Sequence, residues 1–425
     1  MITAEAFAGK HYAVYGLARS GIATVEALLG SGARVTAWDA KEEARAKAPA
    51  GTEIANLDEA DLTQFDSLVV TPGLPLNRHP IAQRARDAGV EIIGDIELFA
   101  RARPELPPHK VVGITGTNGK STTTALVHHI LKSAGLPTEI GGNIGLPILA
   151  QDPLPEGGVY VLELSSYQID LTQSLDCDVA VLLNITPDHL DRYESFEAYA
   201  ASKARLFEMQ SAGRSAVVDY VAEADEDALD NALEPLIYFI DDVKTGSQQA
   251  WQALQGPHNL QNARAATITC RCLGVSDEQI EDGLRTYPGL PHRMERIREK
   301  DGVVFVNDSK ATNPTATAPA LAAFERIRWI CGGQAKTDNL DECAPHFGHV
   351  RKAYTIGEAG DLLARLLSPH MDVAECETLE RAVREAAGEA EVGDTVLLSP
   401  ACASFDQFRD FEHRGDKFRE LVGAL

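Results

Sequence analysis

The sequence is poor in basic residues and has no long apolar run. Of its 425 residues, 39 are lysine or arginine and 63 are aspartate or glutamate, which gives a formal net charge of −24. An acidic surface argues against general nucleic-acid binding, because affinity for a phosphate backbone needs clustered cations. If the protein binds an anionic ligand, its few lysines and arginines must therefore cluster at that binding site. No stretch approaches about 18 uninterrupted apolar residues, so we expect no membrane span.

The amino-terminal stretch lacks a basic start followed by an apolar core, so we expect no signal peptide and a cytoplasmic location. The seven cysteines are odd in number and scattered, which argues against a disulfide framework and fits a reducing compartment. Cys270 and Cys272 lie close together, but structural thiols are favoured over a zinc site, which needs four ligands. No coiled-coil pattern indicates an obligate dimer, so a monomer is the default expectation.

The repeated pattern along the chain is a short apolar run, a polar turn and a helical stretch. This pattern predicts parallel sheets with helices on both faces, an α/β fold. ARPELPPHK at 102–110 and TYPGLPHR at 286–293 are rich in proline or glycine and indicate boundaries. We therefore predict domains at residues 1–98, 99–289 and 290–425.

The first unit begins with a predicted strand at 12–15, followed by a glycine turn at 16–21 and a helix. Ala18 stands where a dinucleotide fingerprint has its middle glycine. Asp39 ends the next predicted strand, at the distance where an acid can hold a ribose hydroxyl. Three interpretations stay open from these residues: a nicotinamide dinucleotide, another nucleotide, or a purely structural turn.

The stretch VVGITGTNGKSTTT, at 111–124, resembles a phosphate-binding loop of unusual spacing. Two residues separate Gly116 from the Gly-Lys-Ser end and five separate Gly113 from it, whereas the usual loop has four. A helix is predicted to follow, and its N-terminus favours anions. Lys120 can neutralise phosphate oxygens and Ser121 can ligate Mg²⁺. The loop favours a nucleoside triphosphate over a tight structural turn.

Other predicted strands also end in polar residues, and ligands of open parallel sheets bind beyond those ends. Glu163 is a candidate metal ligand there, and His189 is either a ligand or a structural histidine. Lys203 lies on a predicted helix, and its sequence position alone favours a solvated surface lysine. The remaining strand ends carry Asn184, Asp188, Asp308, Lys310, Thr312, Lys336 and Ser404.

Eight segments, in order along essentially the whole chain, resemble the Mur ligase family. They are GITGTNGKST, GGNIGLP, LELSSYQ, NITPDHLDRY, GPHNLQNARAA, GLPHRME, NDSKATNPTAT and LLSPACASFDQFRDFEHRG. The short phosphate loop is a mark of this family and of the related folylpolyglutamate synthetases. The resemblance implies a Rossmann-like N-terminal domain for a UDP substrate, a central P-loop ATPase-like domain and a Rossmann-like C-terminal domain for an amino acid.

The implied activity is ATP-dependent amide formation through an acyl phosphate, in peptidoglycan precursor synthesis. SPACASFDQF and NDSKATN favour D-glutamate added to UDP-N-acetylmuramoyl-L-alanine over a sibling that uses L-alanine, a diamino acid or glutamate on folate. A nucleotide-binding regulatory protein without ligase activity is the rival of another class. The intact charged residues of the motifs argue against it.

The family's functional residues carry over only where its motifs match this sequence. The implied catalytic residues are Lys120, His189 and Lys203. Two Mg²⁺ ions are implied on Ser121, Glu163, His189 and Lys203, the last as a carbamate. The implied ATP contacts are Gly116, Thr117, Asn118, Gly119, Lys120, Ser121, Thr122, Asn259, Asn262, Arg293 and Asp308.

Substrate contacts carry over in the same way. Those implied for the UDP substrate are Leu17, Ser20, Asp39, Lys41, Thr71, Pro72, Gly73 and, near the reacting end, Asn143. Those implied for D-glutamate are Lys310, Thr312, Lys336, Ser404 and Phe411. The sequence departs from the family at Gln334 and Ala335, where Asp and Gly are frequent, and at Asp410, where Asn is frequent.

Overall fold

The computed structural model describes residues 1–186, 192–219 and 236–425. Strands and helices alternate through these residues, as the apolar runs and helical stretches predict. The strands are β1 His11–Tyr15, β2 Arg34–Trp38, β3 Glu53–Ile54, β4 Ser67–Val70, β5 Glu91–Ile93, β6 His109–Thr115, β7 Thr138–Gly142, β8 Gly158–Glu163, β9 Val179–Leu182, β10 Ser215–Val218, β11 Leu236–Phe239, β12 Glu295–Lys300, β13 Val303–Asn307, β14 Ile327–Gly332, β15 Val350–Ile356, β16 Asp372–Glu377 and β17 Thr395–Leu398.

The helices of the described residues follow the strands in the expected alternation. They are α1 Arg19–Gly30, α2 Glu42–Arg45, α3 Pro80–Asp87, α4 Asp95–Ala102, α5 Lys120–Ser133, α6 Ser166–Asp170, α7 Phe196–Glu208, α8 Pro257–Cys272, α9 Asp277–Thr286, α10 Pro314–Ala322, α11 Gly360–Leu367, α12 Leu379–Glu389 and α13 Phe411–Ala424. Within the same residues, no helix is both long and apolar enough to cross a bilayer.

The first sheet has the strand order β3-β2-β1-β4-β5, and all of its pairs are parallel. Every residue of β1 and β4 is buried, which explains their continuous apolar character in a sheet with both faces covered. The carboxyl ends of β1 and β4 are neighbours. This pairing brings the turn after β1 next to Thr71.

The second sheet has the order β11-β10-β9-β6-β8-β7 and is also parallel throughout. Its central strand β6 lies between β9 and β8, and the direction in which successive strands are added across the sheet reverses there. Ligands of open α/β sheets bind at such a switch point. The loop after β6 is the predicted phosphate loop, and Glu163 ends the neighbouring β8.

The third sheet has the order β12-β13-β17-β14-β15-β16. β12 is an antiparallel edge strand, and the other pairs are parallel. Trp329 and Cys331 on β14 are fully buried in its core. The predicted α/β class with parallel sheets is therefore confirmed, as is the strand predicted at 12–15.

The described chain separates into two compact units, and each is treated by itself below. Unit 1 comprises Met1–Thr245 with Arg264–Gly283, and unit 2 comprises Gly246–Ala263 with Leu284–Leu425. The first two sheets belong to unit 1 and the third to unit 2. The three domain ranges drawn from the sequence stay a prediction.

Candidate active site

The loop after β6, which we call the phosphate turn (residues 116–119), contains two glycines with positive φ. Gly116 has φ of 150° and Gly119 has φ of 84°. A Cβ at Gly116 would lie 3.1 Å from the Cβ of Leu183, so a side chain would crowd the next strand. Gly119 caps α5, whose first residues are Lys120, Ser121 and Thr122. The predicted strand, glycine turn and helix are confirmed.

Two lysine side chains converge on one backbone oxygen of the phosphate turn. Lys120 Nζ donates to the carbonyl oxygens of Gly116 and Thr117, at 2.8 Å each. Lys203 Nζ, from α7, donates to the same Gly116 oxygen at 3.0 Å and lies 4.6 Å above the Tyr199 ring. Lys203 is only 1% exposed, so its interpretation as a solvated surface lysine is wrong.

The loop after β9 holds the phosphate turn in place. The amide of Asn118 donates to Asn184 Oδ1 at 2.9 Å, and that of Thr117 donates to the Asn184 carbonyl at 2.9 Å. Thr186 donates its amide to Thr117 Oγ1 at 3.0 Å. The amides of Thr117 and Asn118 are therefore occupied within the protein. The N-terminus of α5 is the part of the turn that remains suited to an anion. Asp188 and His189 follow in the sequence and lie outside the described residues.

Glu163 presents one carboxylate oxygen that has no hydrogen-bond partner among the described residues. Its Oε1 accepts a hydrogen bond from Asn143 Nδ2 at 2.9 Å, and its backbone oxygen accepts one from the Asn143 amide at 2.9 Å. Its Oε2 is buried and has no hydrogen-bond partner in the described protein. Burying a carboxylate oxygen without a partner costs free energy. A hard cation such as Mg²⁺ would offset this cost, because Mg²⁺ prefers oxygen ligands. Ser121, 4% exposed, and Lys203, as its carbamate, are the other described ligands predicted for it.

The turn after β1, which we call the first turn (residues 16–21), is held by a carboxylate. Asp39 Oδ2 accepts a hydrogen bond from the Leu17 amide at 2.8 Å, and its Oδ1 accepts one from the Lys41 amide at 2.9 Å. A Cβ at Gly16 would lie 2.3 Å from Thr71 Oγ1. The structure thus brings four of the predicted UDP-substrate residues together.

Two arginines that the sequence left without a role link this region to the second sheet, within unit 1. Arg19 Nη2 donates to the Gly145 carbonyl at 2.9 Å. Arg192 Nη2 donates to the Leu74 carbonyl at 3.0 Å, and its guanidinium lies 4.2 Å above the Tyr167 ring. Ser20, Thr71 and Pro72 line a small cavity with Asp95, whereas a Cβ at Gly73 would meet open space.

Unit 2 contains the other predicted nucleotide residues. Asn259 and Asn262, both buried on α8, are joined by a hydrogen bond of 3.1 Å from Nδ2 of Asn262 to Oδ1 of Asn259. Asp308, after β13, accepts hydrogen bonds from Ser399 Oγ at 2.8 Å and from the Met294 amide at 3.2 Å. Burial raises the pKa of the Asp308 carboxyl to about 7, and Arg293 opposes this shift through its charge.

The residues predicted to bind D-glutamate also lie in unit 2, at the ends of β13, β14 and β17 and at the start of α13. Lys310 Nζ lies 5.0 Å above the Phe411 ring. Lys336 Nζ is 3.4 Å from Thr312 Oγ1. Ser404 is 2% exposed.

Two of the three departures from the family pattern are accommodated by the structure. Gln334 pairs with Ala403 through two backbone hydrogen bonds of 2.9 Å, which do not depend on the identity of its side chain. Asp410 caps α13 by accepting the His413 amide at 2.7 Å, a role that asparagine fills equally well. Nothing in the structure explains Ala335.

The fold and the phosphate turn define a nucleotide-binding α/β protein, and comparison with known proteins narrows this class. Residues 10–94 match the model "Mur ligase MurD-like, N-terminal domain", residues 114–239 match "Mur ligase middle domain", and residues 292–402 match "Mur ligase, glutamate ligase domain".

Relatives of known name match along the full chain. The UDP-N-acetylmuramoylalanine--D-glutamate ligase of Novosphingobium aromaticivorans is 61% identical, over 100% of this chain and 97% of its own length. The ligase of the same name from Sphingopyxis alaskensis is 58% identical over 100% of both chains. The chain belongs to the Mur ligase family.

Solved structures share the fold at low sequence identity. The MurF ligase of Thermotoga maritima, solved in complex with ADP, superposes with a TM-score of 0.61 at 16% identity, over 98% of this chain and 96% of that one. A bifunctional folylpolyglutamate synthase/dihydrofolate synthase of Yersinia pestis was solved in complex with AMPPNP and Mn ion. It superposes with a TM-score of 0.56 at 20% identity, over 77% of this chain and 93% of that one.

Proposed function

We propose that the chain uses ATP to join D-glutamate to UDP-N-acetylmuramoyl-L-alanine through an amide bond, as a step of peptidoglycan precursor synthesis in the cytoplasm. The observation that carries the proposal is the phosphate turn at the switch point of the second sheet, where Lys120 and Lys203 meet beside Glu163. The names of the full-length relatives support the choice of substrates. The ADP and AMPPNP of the two solved relatives support ATP.

The chemistry explains why such an enzyme needs these charges. A carboxylate is a poor acylating group, because an oxide ion leaves poorly. Transfer of the γ-phosphate of ATP to the substrate carboxylate gives an acyl phosphate, from which phosphate leaves when the amine of D-glutamate attacks. The attack of one anion on another needs cations that offset their repulsion. Lys120, at the start of α5, is the residue that we assign to this role.

Two Mg²⁺ ions would bind through Ser121, Glu163, His189 and Lys203. When bound, they would supply charge neutralisation and alignment of the phosphate oxygens. The buried Oε2 of Glu163, which has no partner within the described ranges, supports this assignment, and Asn143 holds the other oxygen of the same carboxylate. Of the proposed ligands, Ser121, Glu163 and Lys203 lie among the described residues.

We propose that Lys203 is carbamylated. Addition of carbon dioxide to the neutral amine, with loss of a proton, replaces a cation by an anion with two oxygens. The Nζ atoms of Lys120 and Lys203 approach the same Gly116 oxygen, so two ammonium groups there would repel each other. The carbamate would convert this repulsion into attraction and add oxygen ligands for Mg²⁺.

For the second substrate, two lysines face a dianionic amino acid. Lys310 and Lys336 would each neutralise one carboxylate of D-glutamate, and Ser404 would add a hydrogen bond. On the nucleotide side, we assign Asn259 and Asn262 to the adenine, and Asp308 to the ribose. The first turn, with Asp39, would hold the uridine end of the UDP substrate.

The test is phosphate release from ATP and Mg²⁺ with UDP-N-acetylmuramoyl-L-alanine and single amino acids in parallel. We expect release only with D-glutamate, together with a product whose mass corresponds to the new amide. Lys120→Ala serves as the background control. Release driven by L-alanine or a diamino acid would move the specificity to a sibling, and release without any amino acid would favour a simple nucleotide hydrolase.

A further inference from the structure

Arg414, on α13, is a fully buried arginine with five neutral hydrogen-bond acceptors. It is 1% exposed. Its Nε donates to Ser309 Oγ at 3.0 Å, and its Nη2 donates to the carbonyls of Ser309 at 2.9 Å and Cys402 at 3.1 Å. Its Nη1 donates to the carbonyls of Gly332 and Ala403, at 3.3 Å each. The guanidinium therefore donates to three separate segments: the loop after β13, the end of β14 and the loop after β17.

These three segments carry the residues that we assign to D-glutamate. The loop after β13 continues from its acceptor directly into Lys310. The loop after β14 leads to Lys336, and the loop after β17 continues directly into Ser404. Phe411 is the first residue of the helix that bears Arg414 itself. One side chain thus ties together all the strand ends from which the amino-acid pocket would be built.

Arg414 forms no ion pair with any residue in the described part of the chain. None of its acceptors is a carboxylate, although Asp406 lies close enough to favour its charged form. Burial lowers the pKa of Arg414 to about 10, so the guanidinium stays protonated at neutral pH. Buried arginines are ordinarily paired with an acid, because desolvating an unpaired cation is costly. A structural crosslink alone would not need a charged group here.

Ser404 is the neighbour through which this charge can act. Within the described residues, neither its amide nor its hydroxyl has a hydrogen-bond partner, and the side chain is 2% exposed. The preceding carbonyl, of Ala403, accepts from both Arg414 Nη1 and the amide of Gln334. Two donors on a carbonyl polarise its peptide group, which strengthens the N–H of the next residue as a donor.

We infer that Arg414 is a positioning residue of the D-glutamate pocket, whose guanidinium holds Lys310, Lys336 and Ser404 in the arrangement that binds a dicarboxylate. The inference rests on the proposed function. Arg414 itself would not contact the substrate. It would set the positions and the polarity of the groups that do.

Steady-state kinetics of Arg414→Lys and Arg414→Met, with each substrate varied in turn, test the inference. Lysine keeps the charge but loses the planar fork, and methionine loses both. We expect Arg414→Lys to raise the KM for D-glutamate about tenfold, and Arg414→Met to raise it further, with the KM for ATP and for the UDP substrate within about twofold. Arg419→Lys is the matched control on the same helix, and it should leave all three KM values unchanged.

Equal changes in all three KM values, or an unchanged KM for D-glutamate, would overturn the inference and leave Arg414 a structural residue. Should the Arg414 variants not fold, Ser309→Ala carries the test alone, because it removes one acceptor. It should raise the KM for D-glutamate about threefold, and no change would equally overturn the inference. Failure of the proposed function is distinguishable, since the unaltered protein would then show no phosphate release dependent on D-glutamate.

Discussion

The first turn and the phosphate turn have the same backbone plan but opposite electrostatics. Each follows a buried parallel strand, begins with a glycine of positive φ and leads into a helix. In the first turn, the carboxylate of Asp39 accepts the amide of Leu17. In the phosphate turn, neutral Asn184 accepts the equivalent kind of amide, and two ammonium groups surround the Gly116 oxygen.

Under the proposed function, glycine geometry would permit a nucleotide at both turns, and side chains from neighbouring strands and helices would select which part of it binds. A turn beside a carboxylate, as the first turn is beside Asp39, repels phosphate and suits the hydroxyls of a ribose. A turn at a helix N-terminus surrounded by cations suits phosphate. Mutations that exchange these charges should therefore affect different substrates.

The largest effect is expected at Lys120. Lys120→Ala removes the cation at the start of α5 and should lower kcat at least about a thousandfold, as loss of a key electrostatic group does in other enzymes. The measurement is D-glutamate-dependent phosphate release at saturating substrates. Lys132→Ala, in the last turn of the same helix and exposed, is the matched control and should stay within about twofold. Activity retained in Lys120→Ala would mean that this turn does not bind the transferred phosphate.

The second effect concerns Lys203 and its proposed carbamate. Lys203→Ala and Lys203→Arg should both lose about a hundredfold or more in kcat, because arginine keeps the positive charge but cannot be carbamylated. Short carboxylic acids such as acetate should restore part of the activity of Lys203→Ala only. Arginine that supports normal turnover would contradict the carbamate and indicate that the positive charge itself is needed.

The local parts of both turns were predictable from the sequence. The strand at residues 12–15 and the helix that starts at Lys120 follow from an apolar run, a glycine and a helical pattern, all within about twenty residues. The capping role of Asp410 could also have been recognised, since aspartate is a favoured N-cap. Such signals depend only on neighbours along the chain.

The contacts that could not be predicted from the sequence join residues that are far apart along the chain. Lys203 resembles a surface lysine until α7 packs against the phosphate turn, and that packing depends on β6 pairing between β8 and β9. Arg192 and Arg414 stand in motifs that resemble the family, yet their acceptors, apart from the Ser309 hydroxyl, are backbone carbonyls, which every residue possesses. No side-chain pattern identifies which carbonyls will meet. The family resemblance supplied the candidate roles in both turns, and the structure supplied their surroundings.

A smaller effect is expected in the first turn. Asp39→Asn keeps the size of the side chain but removes its charge, so it should weaken the hold on the Leu17 amide and on a ribose hydroxyl. We expect the KM for the UDP substrate to rise about tenfold, with the KM for ATP unchanged. Asp87→Asn, at the exposed end of α3, is the control. A rise in the KM for ATP instead would contradict the division of labour between the two turns.

The smallest effect is a pH dependence of stability at Asp308, a strand-end acid that, unlike Asp39, is deeply buried. Its pKa is raised to about 7 in the folded protein, against about 3.9 for an unfolded aspartate. Between these values the folded state binds the proton more tightly, so the free energy of unfolding should fall as pH rises from about 4 to about 7.

Asp308→Asn cannot ionise and should lack this pH-dependent component. At about 1.36 kcal/mol for each pKa unit, the component amounts to at most a few kcal/mol. Urea unfolding at several pH values measures it, with Asp372→Asn on the exposed edge of the same sheet as control. Parallel stability curves for the unaltered protein and Asp308→Asn would show that burial does not destabilise the ionised carboxylate, and the contrast between the two strand-end acids would be lost.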